Sequence, residues 1–445
     1  VSLQNPQTRA EEGGLAADLE LDSPRVRRRG WIITLMLMAF MLINFADKVV
    51  VSLAGVEIKT DLGLSNQQFG TAQSAFFWLF AVGAVALGSL GGRISARWLL
   101  AGLVGLWVLS LAPMTTTVGF GVFLACRMLL GFAEGPAGAL SQQIAHTWFS
   151  PKRRSLPASV VIMGASLGPL IAAPVLTWII QSYSWHAAFF VLMAAGVMWL
   201  VAWLFIGGEG PAGNAGAGTG NQAVTLPDTV PVRLLWTRPT VIGVAIFSFC
   251  SYWATALKVS WLPLYLREGL HYSANATGLL ITLPFAAAVI LTFLAGLIST
   301  RLSLAGRSSR TARALFAAGL LAAGGVCMIG FTVLPVGPTQ MVLIALAFSL
   351  NTAAWGLAFS LLSDVVPAKQ RGSVMSITVA IYSLGGVAAP LLIGSLVSGA
   401  ADTAAGYGRG FVIVGVIMLV GALAAAVLVN PERDATTIAA HHPNK

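Results

Sequence analysis

The sequence predicts an all-α membrane protein: twelve transmembrane helices in two pseudo-symmetric six-helix bundles, with both termini in the cytoplasm. Three observations predict it. First, the 445 residues are 57% hydrophobic and only 9% charged, where a soluble chain carries about 25% charged residues. Too little charge is present to clothe a water-facing surface, so a bilayer is the natural solvent. Second, twelve stretches reach the ~20 apolar residues that a crossing helix requires. Third, lysine and arginine fall almost entirely in alternate gaps between those stretches.

In order, the spans are 31–54, 68–91, 98–116, 118–142, 155–178, 186–206, 239–263, 275–299, 311–334, 338–362, 372–397 and 409–430. The shortest gaps lie at Pro113 and Pro335. Residues 1–29 read as a polar tail ending in Arg25, Arg27, Arg28 and Arg29. No small-residue cleavage site follows a short apolar region, so the first span crosses the membrane and is not a signal peptide. With the N-terminus inside, twenty of the 26 basic residues are cytoplasmic, and only Lys59, Arg267 and Arg409 lie in outside loops. That bias fixes the orientation. Trp31, Trp98, Trp148, Trp185, Trp236 and Trp261 sit at span ends, where tryptophan anchors a helix at the interface. The 48 glycines suit helices packed backbone to backbone.

Residues 207–237 form the longest internal polar stretch and contain a Gly/Ala-rich run after Gly207. Such a segment builds no core and reads as a cytoplasmic linker. It separates an N-terminal bundle (30–206) from a C-terminal bundle (238–430), with a tail at 431–445. The halves are weakly alike. Arg154 and Ser166 match Arg371 and Ser383 at one shared offset of 217 residues. A duplicated six-helix unit is the plan of many secondary transporters.

Other classes are disfavoured. The net charge of +10 is scattered in short clusters between spans, which argues against nucleic acid. Cys126, Cys250 and Cys327 all fall within spans, with no metal-ligand spacing and no disulfide framework. No P-loop Gly-Lys-Ser/Thr occurs, and His146, His186 and His271 are scattered. No enzyme and no cofactor are expected.

The candidate site is a set of charges inside spans. Asp47 and Lys48 lie in the first, Arg127 and Glu134 in the fourth. A charge in the hydrocarbon core costs at least ~2.5–3.5 kcal/mol, so such residues are functional by default. Arg127 and Glu134 are seven residues apart, hence on one helix face and ~10 Å apart along the axis. Asp47 lies about 24 Å along the first span, level with Arg127. On this geometry Asp47 pairs with Arg127, and Glu134 lacks a level partner, which makes it the better proton carrier. The bland alternative is a static pair that holds the helices in register. Charge arithmetic adds a mechanism. With both carboxylates ionised the set is neutral; with both protonated it carries two positive charges and favours an anion. Proton and anion binding then promote each other.

Lys258 in the seventh span lies near its outer end, where a lysine can snorkel to the interface. The sharper reading makes it a cavity cation for a second carboxylate. Asp364 reads as a partner of loop arginines. Asn44, Gln73, Tyr252, Asn351, Tyr382 and Ser383 are polar or aromatic residues able to line a cavity, as are members of the Phe76–Phe80 run.

These residues resemble a known family. Asn44-Phe45-Ala46-Asp47-Lys48, Asp61-Leu62-Gly63-Leu64-Ser65, the stretch from Arg127 through Glu134 to Pro136, and Trp261-Leu262-Pro263-Leu264-Tyr265 are similar to the anion:cation symporter branch of the major facilitator superfamily. That branch includes sugar-acid transporters and sialin-like carriers. The resemblance covers roughly residues 30–430. It implies that Asp47 and Glu134 handle protons, that Lys48 stands for a substrate-binding arginine, and that Arg127 is coupled to the acids. Three departures matter. Lysine at 48 lacks the planar fork of arginine. Phe45 and Phe80 stand where sugar-acid transporters often carry tyrosine, so the pocket loses hydroxyls and suits a less hydroxylated or aromatic acid. The loop after the second span lacks its usual acid at Gly92, and its counterpart has Thr300 before Arg301, which favours an inward-facing state.

The resulting expectation is proton-coupled symport of an organic carboxylate by alternating access in the bacterial plasma membrane. The site would use Glu134 and Asp47 for protons, and Lys48, Arg127, Phe45, Phe80, Tyr382, Ser383 and Lys258 for substrate. The partners are a small organic anion, protons and membrane lipid, with the chain acting as a monomer. A proton-driven efflux antiporter of anionic or amphiphilic compounds is the alternative, and a non-transporting sensor is a third reading.

Overall fold

The computed structural model describes residues 23–88, 94–149, 155–211, 229–367 and 370–440. Residues 1–22, the acid-less loop at Gly92 and Arg93, Lys152 to Arg154, most of the linker and the last five residues lie outside the described residues.

Twelve helices are long and apolar enough to cross a membrane. We number them α1 (Pro24–Leu53), α2 (Asn66–Leu87), α3 (Ala96–Thr115), α4 (Phe120–His146), α5 (Ser159–Ser182), α6 (Trp185–Ile206), α7 (Pro239–Ser260), α8 (Ala274–Leu304), α9 (Arg310–Val333), α10 (Pro338–Val365), α11 (Ser373–Ser398) and α12 (Thr403–Leu428). Helix α1 starts earlier than the hydropathy suggests. Ser23 caps it, accepting from Val26 N, and Pro24 occupies the first turn, where a missing N–H costs nothing. The arginine run is therefore helical. Helix α4 is broken after Glu134 at Gly135-Pro136, and α10 after Trp355 at Gly356-Leu357, the corresponding span of the other half.

Close backbone contact locks α2 against α4. A Cβ at Gly131 of α4 would strike the Phe76 carbonyl oxygen of α2, so only glycine lets these helices meet there. This contact sets Phe76 directly beside α4. The two bundles are joined mainly through α2 and α11. At their crossing a Cβ on Gly70 would lie 2.7 Å from Pro390 O and 3.2 Å from Gly394 Cα.

The ends of the bundles opposite the linker, called outer below, are closed against each other. Lys59 pairs with Glu268 (2.5 Å) and Arg267 with Glu57 (2.8 Å), each linking one half to the other. Beneath these pairs, three N-half side chains donate to C-half backbone carbonyls: Ser52 to Val259 (2.6 Å), Gln73 to Ser260 (2.9 Å) and Ser74 to Val387 (2.6 Å). Toward the linker end, a cavity of about 640 Å³ lies among α8, α9 and α10, lined by Thr292, Ser299, Thr300, Arg313 and Ser360.

Three tryptophans read as interface anchors are instead internal. Trp148, Trp185 and Trp261 are buried. Trp148 donates to Gly208 O and Trp185 to Asp61, while Trp261 packs on Phe69 and Tyr407. Trp98, in contrast, is 57% exposed. The described ends of the linker and tail are docked. Glu209 accepts from Ser95 Oγ and Arg97 N at the first turn of α3. Pro431–Ala440 is a helix whose buried Asp434 accepts from Thr240 N (2.7 Å), capping α7, and whose Glu432 accepts from Ser309 N, at the start of α9. Asp364 meets Arg313 (2.6 Å), an arginine in the first turn of α9 where the sequence suggested one in a loop.

Candidate functional site

Four helices bring the intramembrane charges together. Asp47, Arg127 and Glu134 are buried, with 0%, 5% and 3% of their surface exposed. Lys48 Nζ makes an ion pair with Glu134 Oε2 at 2.6 Å and donates to Asn44 Oδ1 at 2.5 Å. Asp47 Oδ2 accepts from Trp107 Nε1 of α3 at 2.6 Å. Arg127 Nη2 donates to Gln73 Oε1 of α2 at 3.1 Å.

The pairing differs from the one that axial spacing suggests. Asp47 and Arg127 form no direct ion pair among the described residues, and Glu134 does have a partner, Lys48. The reason is the direction of the lysine side chain. Side chains on a helix lean toward its N-terminus, so Lys48 folds back toward Asn44, one turn earlier. Its ammonium thereby descends to the level of Glu134. Trp107 is the residue that sequence reasoning missed. Its signal was a tryptophan in mid-span, away from either interface.

Several polar atoms at this spot have no hydrogen-bond partner among the described residues: Arg127 Nε and Nη1 and Asp47 Oδ1. Orphaned buried polar atoms are rare and call for an explanation. Open guanidinium donors beside an ammonium suit an anion such as a carboxylate.

Aromatic rings surround the cations. Lys48 Nζ lies 4.2 Å from the Phe45 ring centroid, and the Arg127 guanidinium 4.9 Å from that of Phe76. From Phe76 the rings run on in contact: to Phe80 (5.7 Å), Phe77 (6.3 Å), then across the interface of the halves to Tyr252 (5.9 Å), Tyr382 (4.5 Å) and Trp355 (5.5 Å). Phe45 thus touches a site cation directly, whereas Phe80 and Tyr382 connect to the charges only through intervening rings. Ser383 and Lys258 do not join them. The Ser383 hydroxyl donates to Ala380 O of its own helix (2.8 Å). Lys258 does not snorkel: it is buried, donates to Phe348 O and Thr352 Oγ1 (both 3.0 Å), and lies over Phe285.

Two helical bundles closed at one end around buried charges are the architecture of a multi-pass membrane transporter. The chain belongs to the Major Facilitator Superfamily, whose family pattern matches residues 35–390. It is thus a plasma-membrane transporter and not an enzyme. Among its relatives are a probable galactarate/D-glucarate transporter of Bacillus subtilis (24% identical, covering 90% of this chain and 92% of the relative) and a D-galactonate transporter of Escherichia coli O6:H1 (25%, 93% and 98%). A hexuronate transporter of B. subtilis is 25% identical over 87% of this chain and 92% of its own length. Among solved structures, a bacterial homolog of the human lysosomal transporter Spinster, in an inward-facing and occupied conformation, superposes with a TM-score of 0.76 at 17% identity (94% of this chain, 99% of that one). A D-xylose-proton symporter superposes at 0.74 with 16% identity (90% and 98%). These two likenesses concern the fold.

Proposed function

We propose that this transporter carries an organic carboxylate together with protons, by alternating access. The observation that carries the proposal is the Lys48–Glu134 ion pair beside the open donors of Arg127. While Glu134 is ionised, its own charge occupies Lys48. Protonation of Glu134 frees the ammonium, and the freed ammonium and Arg127 then present two cations to one anion. Substrate and proton compete for nothing and each favours the other, which is positive linkage. Asp47, held by Trp107, is the second carboxylate of the set. The names of the relatives, transporters of sugar acids, support an organic anion as cargo.

The ring run refines the cargo. A polyol chain lying along Phe45, Phe80 and Phe77 would bury hydroxyls without partners, at a cost of about 1–3 kcal/mol each. Phe45 and Phe80 offer no hydroxyl, and that of Ser383 is already engaged. These walls favour a less hydroxylated or aromatic carboxylate over a sugar acid. The test uses proteoliposomes with a trapped pH dye and no imposed gradient. External benzoate or galactonate is added in separate runs, and the acidification of protein-free liposomes, which undissociated benzoic acid enters unaided, is subtracted. Acidification with either carboxylate supports proton symport, and a larger response to benzoate supports the refinement. No acidification with any acid of a wider carboxylate panel would overturn the proposal.

A further inference from the structure

One side chain joins the charged site to the outer closure. Arg127 Nη2 donates to Gln73 Oε1 (3.1 Å), and Gln73 Nε2 donates to the Ser260 carbonyl (2.9 Å). All three residues are buried, at 5%, 1% and 3% exposure. Gln73 belongs to α2 in the N-terminal half, and Ser260 ends α7 in the C-terminal half. The chain of bonds runs in one direction. A guanidinium is donor only and a carbonyl acceptor only, so the amide between them has one allowed orientation. Arg127 thereby fixes which way Gln73 faces.

The acceptor side has its own cause. Helix α7 stops at Ser260, and Pro263 follows. Proline has no N–H to give the carbonyl of Val259, four residues before it. The Ser52 hydroxyl takes that carbonyl at 2.6 Å. Ser260, the next carbonyl, takes the Gln73 amide. The proline accounts for the first of these two consecutive backbone acceptors, both of which are taken by side chains of the opposite half.

We propose that Gln73 is a positioning residue that couples the occupancy of Arg127 to the outer seal. With Nη2 on Gln73, the amide nitrogen is held on Ser260 and the seal is closed. When a carboxylate draws Nη2 away, the glutamine oxygen loses its donor, the amide turns freely, and the seal loses this bond. Asp47, whose Oδ1 has no hydrogen-bond partner among the described residues, is one such carboxylate, and a bound substrate is another. The proposal rests on the transport reading for its purpose. Its test requires neither substrate nor proton flux, so either can fail without the other.

The test measures seal opening with spin labels at Thr60→Cys and Asn275→Cys, exposed positions on the outer rims of the two halves, in a cysteine-free background. Gln73→Leu and Arg127→Gln should each raise the open-to-closed ratio about tenfold, the effect of one buried hydrogen bond. The double variant should open no further, because both remove one chain of bonds. Ser52→Ala, which removes the neighbouring bond, should add to either. Gln73→Glu keeps an acceptor for Arg127 but sets a carboxylate against the Ser260 carbonyl, and should open the seal as Gln73→Leu does. A closed seal in Arg127→Gln, or additive effects of Gln73→Leu and Arg127→Gln, would overturn the proposal. If Arg127→Gln does not fold, a closed seal in Gln73→Glu would overturn it instead.

Discussion

Glu134→Gln separates binding from coupling. The substitution keeps size and removes the charge that holds Lys48. Deleting one partner of a buried pair costs about 3–5 kcal/mol, because a charge is left uncompensated. Lys48 is 10% exposed at its side chain and keeps Asn44 as acceptor, so the low end applies and is discounted for solvent. An arriving carboxylate recovers part of that cost. Taking about 1.4–2.8 kcal/mol as the recovered share gives an anion affinity about 10- to 100-fold tighter than wild type. The pH dependence should change as well. In wild type, each coupled proton contributes up to tenfold in affinity per pH unit, since a pH unit is worth about 1.36 kcal/mol. Affinity should rise as pH falls, because in the proposed symport the proton is bound together with the anion. The variant should lose one proton's share of that slope. Benzoate titration by thermal shift across a pH series reads both quantities. Counterflow of labelled benzoate should persist, while dye-reported proton entry should fall. Binding weaker than wild type, or an unchanged pH slope, would refute the reasoning.

Three further predictions follow from named contacts. Trp107→Phe removes the donor to Asp47 Oδ2 and should cost about 1–3 kcal/mol of stability where Asp47 stays ionised; melting at pH 8 and pH 5 should show a larger loss at pH 8. Gly131→Ala places a methyl on the Phe76 carbonyl and should destabilise by about 1–3 kcal/mol, as overpacking does, with benzoate affinity falling because Phe76 lies under Arg127. Lys258→Met fills the same volume without charge and touches none of the four charged residues; benzoate counterflow should stay within about twofold of wild type, consistent with distant sites acting independently.

The fold was legible because the bilayer imposes a coarse rule. Each span must be long and apolar, and that signal survives in composition alone. Which residues carry charge was equally plain, since charges in apolar runs are conspicuous. Their pairing was not. Axial rise places Cα atoms, whereas Lys48 meets Glu134 through a stem that folds back by a turn. The same limit hid Trp107, because an indole in mid-span looks apolar until its N–H is seen to face Asp47. It misread Lys258 too, whose partners are a carbonyl and a threonine hydroxyl. Backbone acceptors leave no compositional trace.

That last point explains the uneven division of labour between the halves. The four charges of the site all belong to the N-terminal half, and the seal bonds named above run from N-half side chains to C-half carbonyls. A carbonyl can be left by one side chain and taken by another without ionising anything. In the proposed alternating-access cycle, the C-terminal half can therefore rock against the N-terminal half without breaking the charge set. Were the seal bonds charge to charge, opening would strand ions in a dry interface at several kcal/mol each. The ion pairs that do cross between the halves, Lys59–Glu268 and Arg267–Glu57, sit at the outer rim, where water can receive their charges as they part. Placing neutral, backbone-accepting bonds at the centre and charged pairs at the rim would keep the barrier to the proposed alternation low while the site retains its charge.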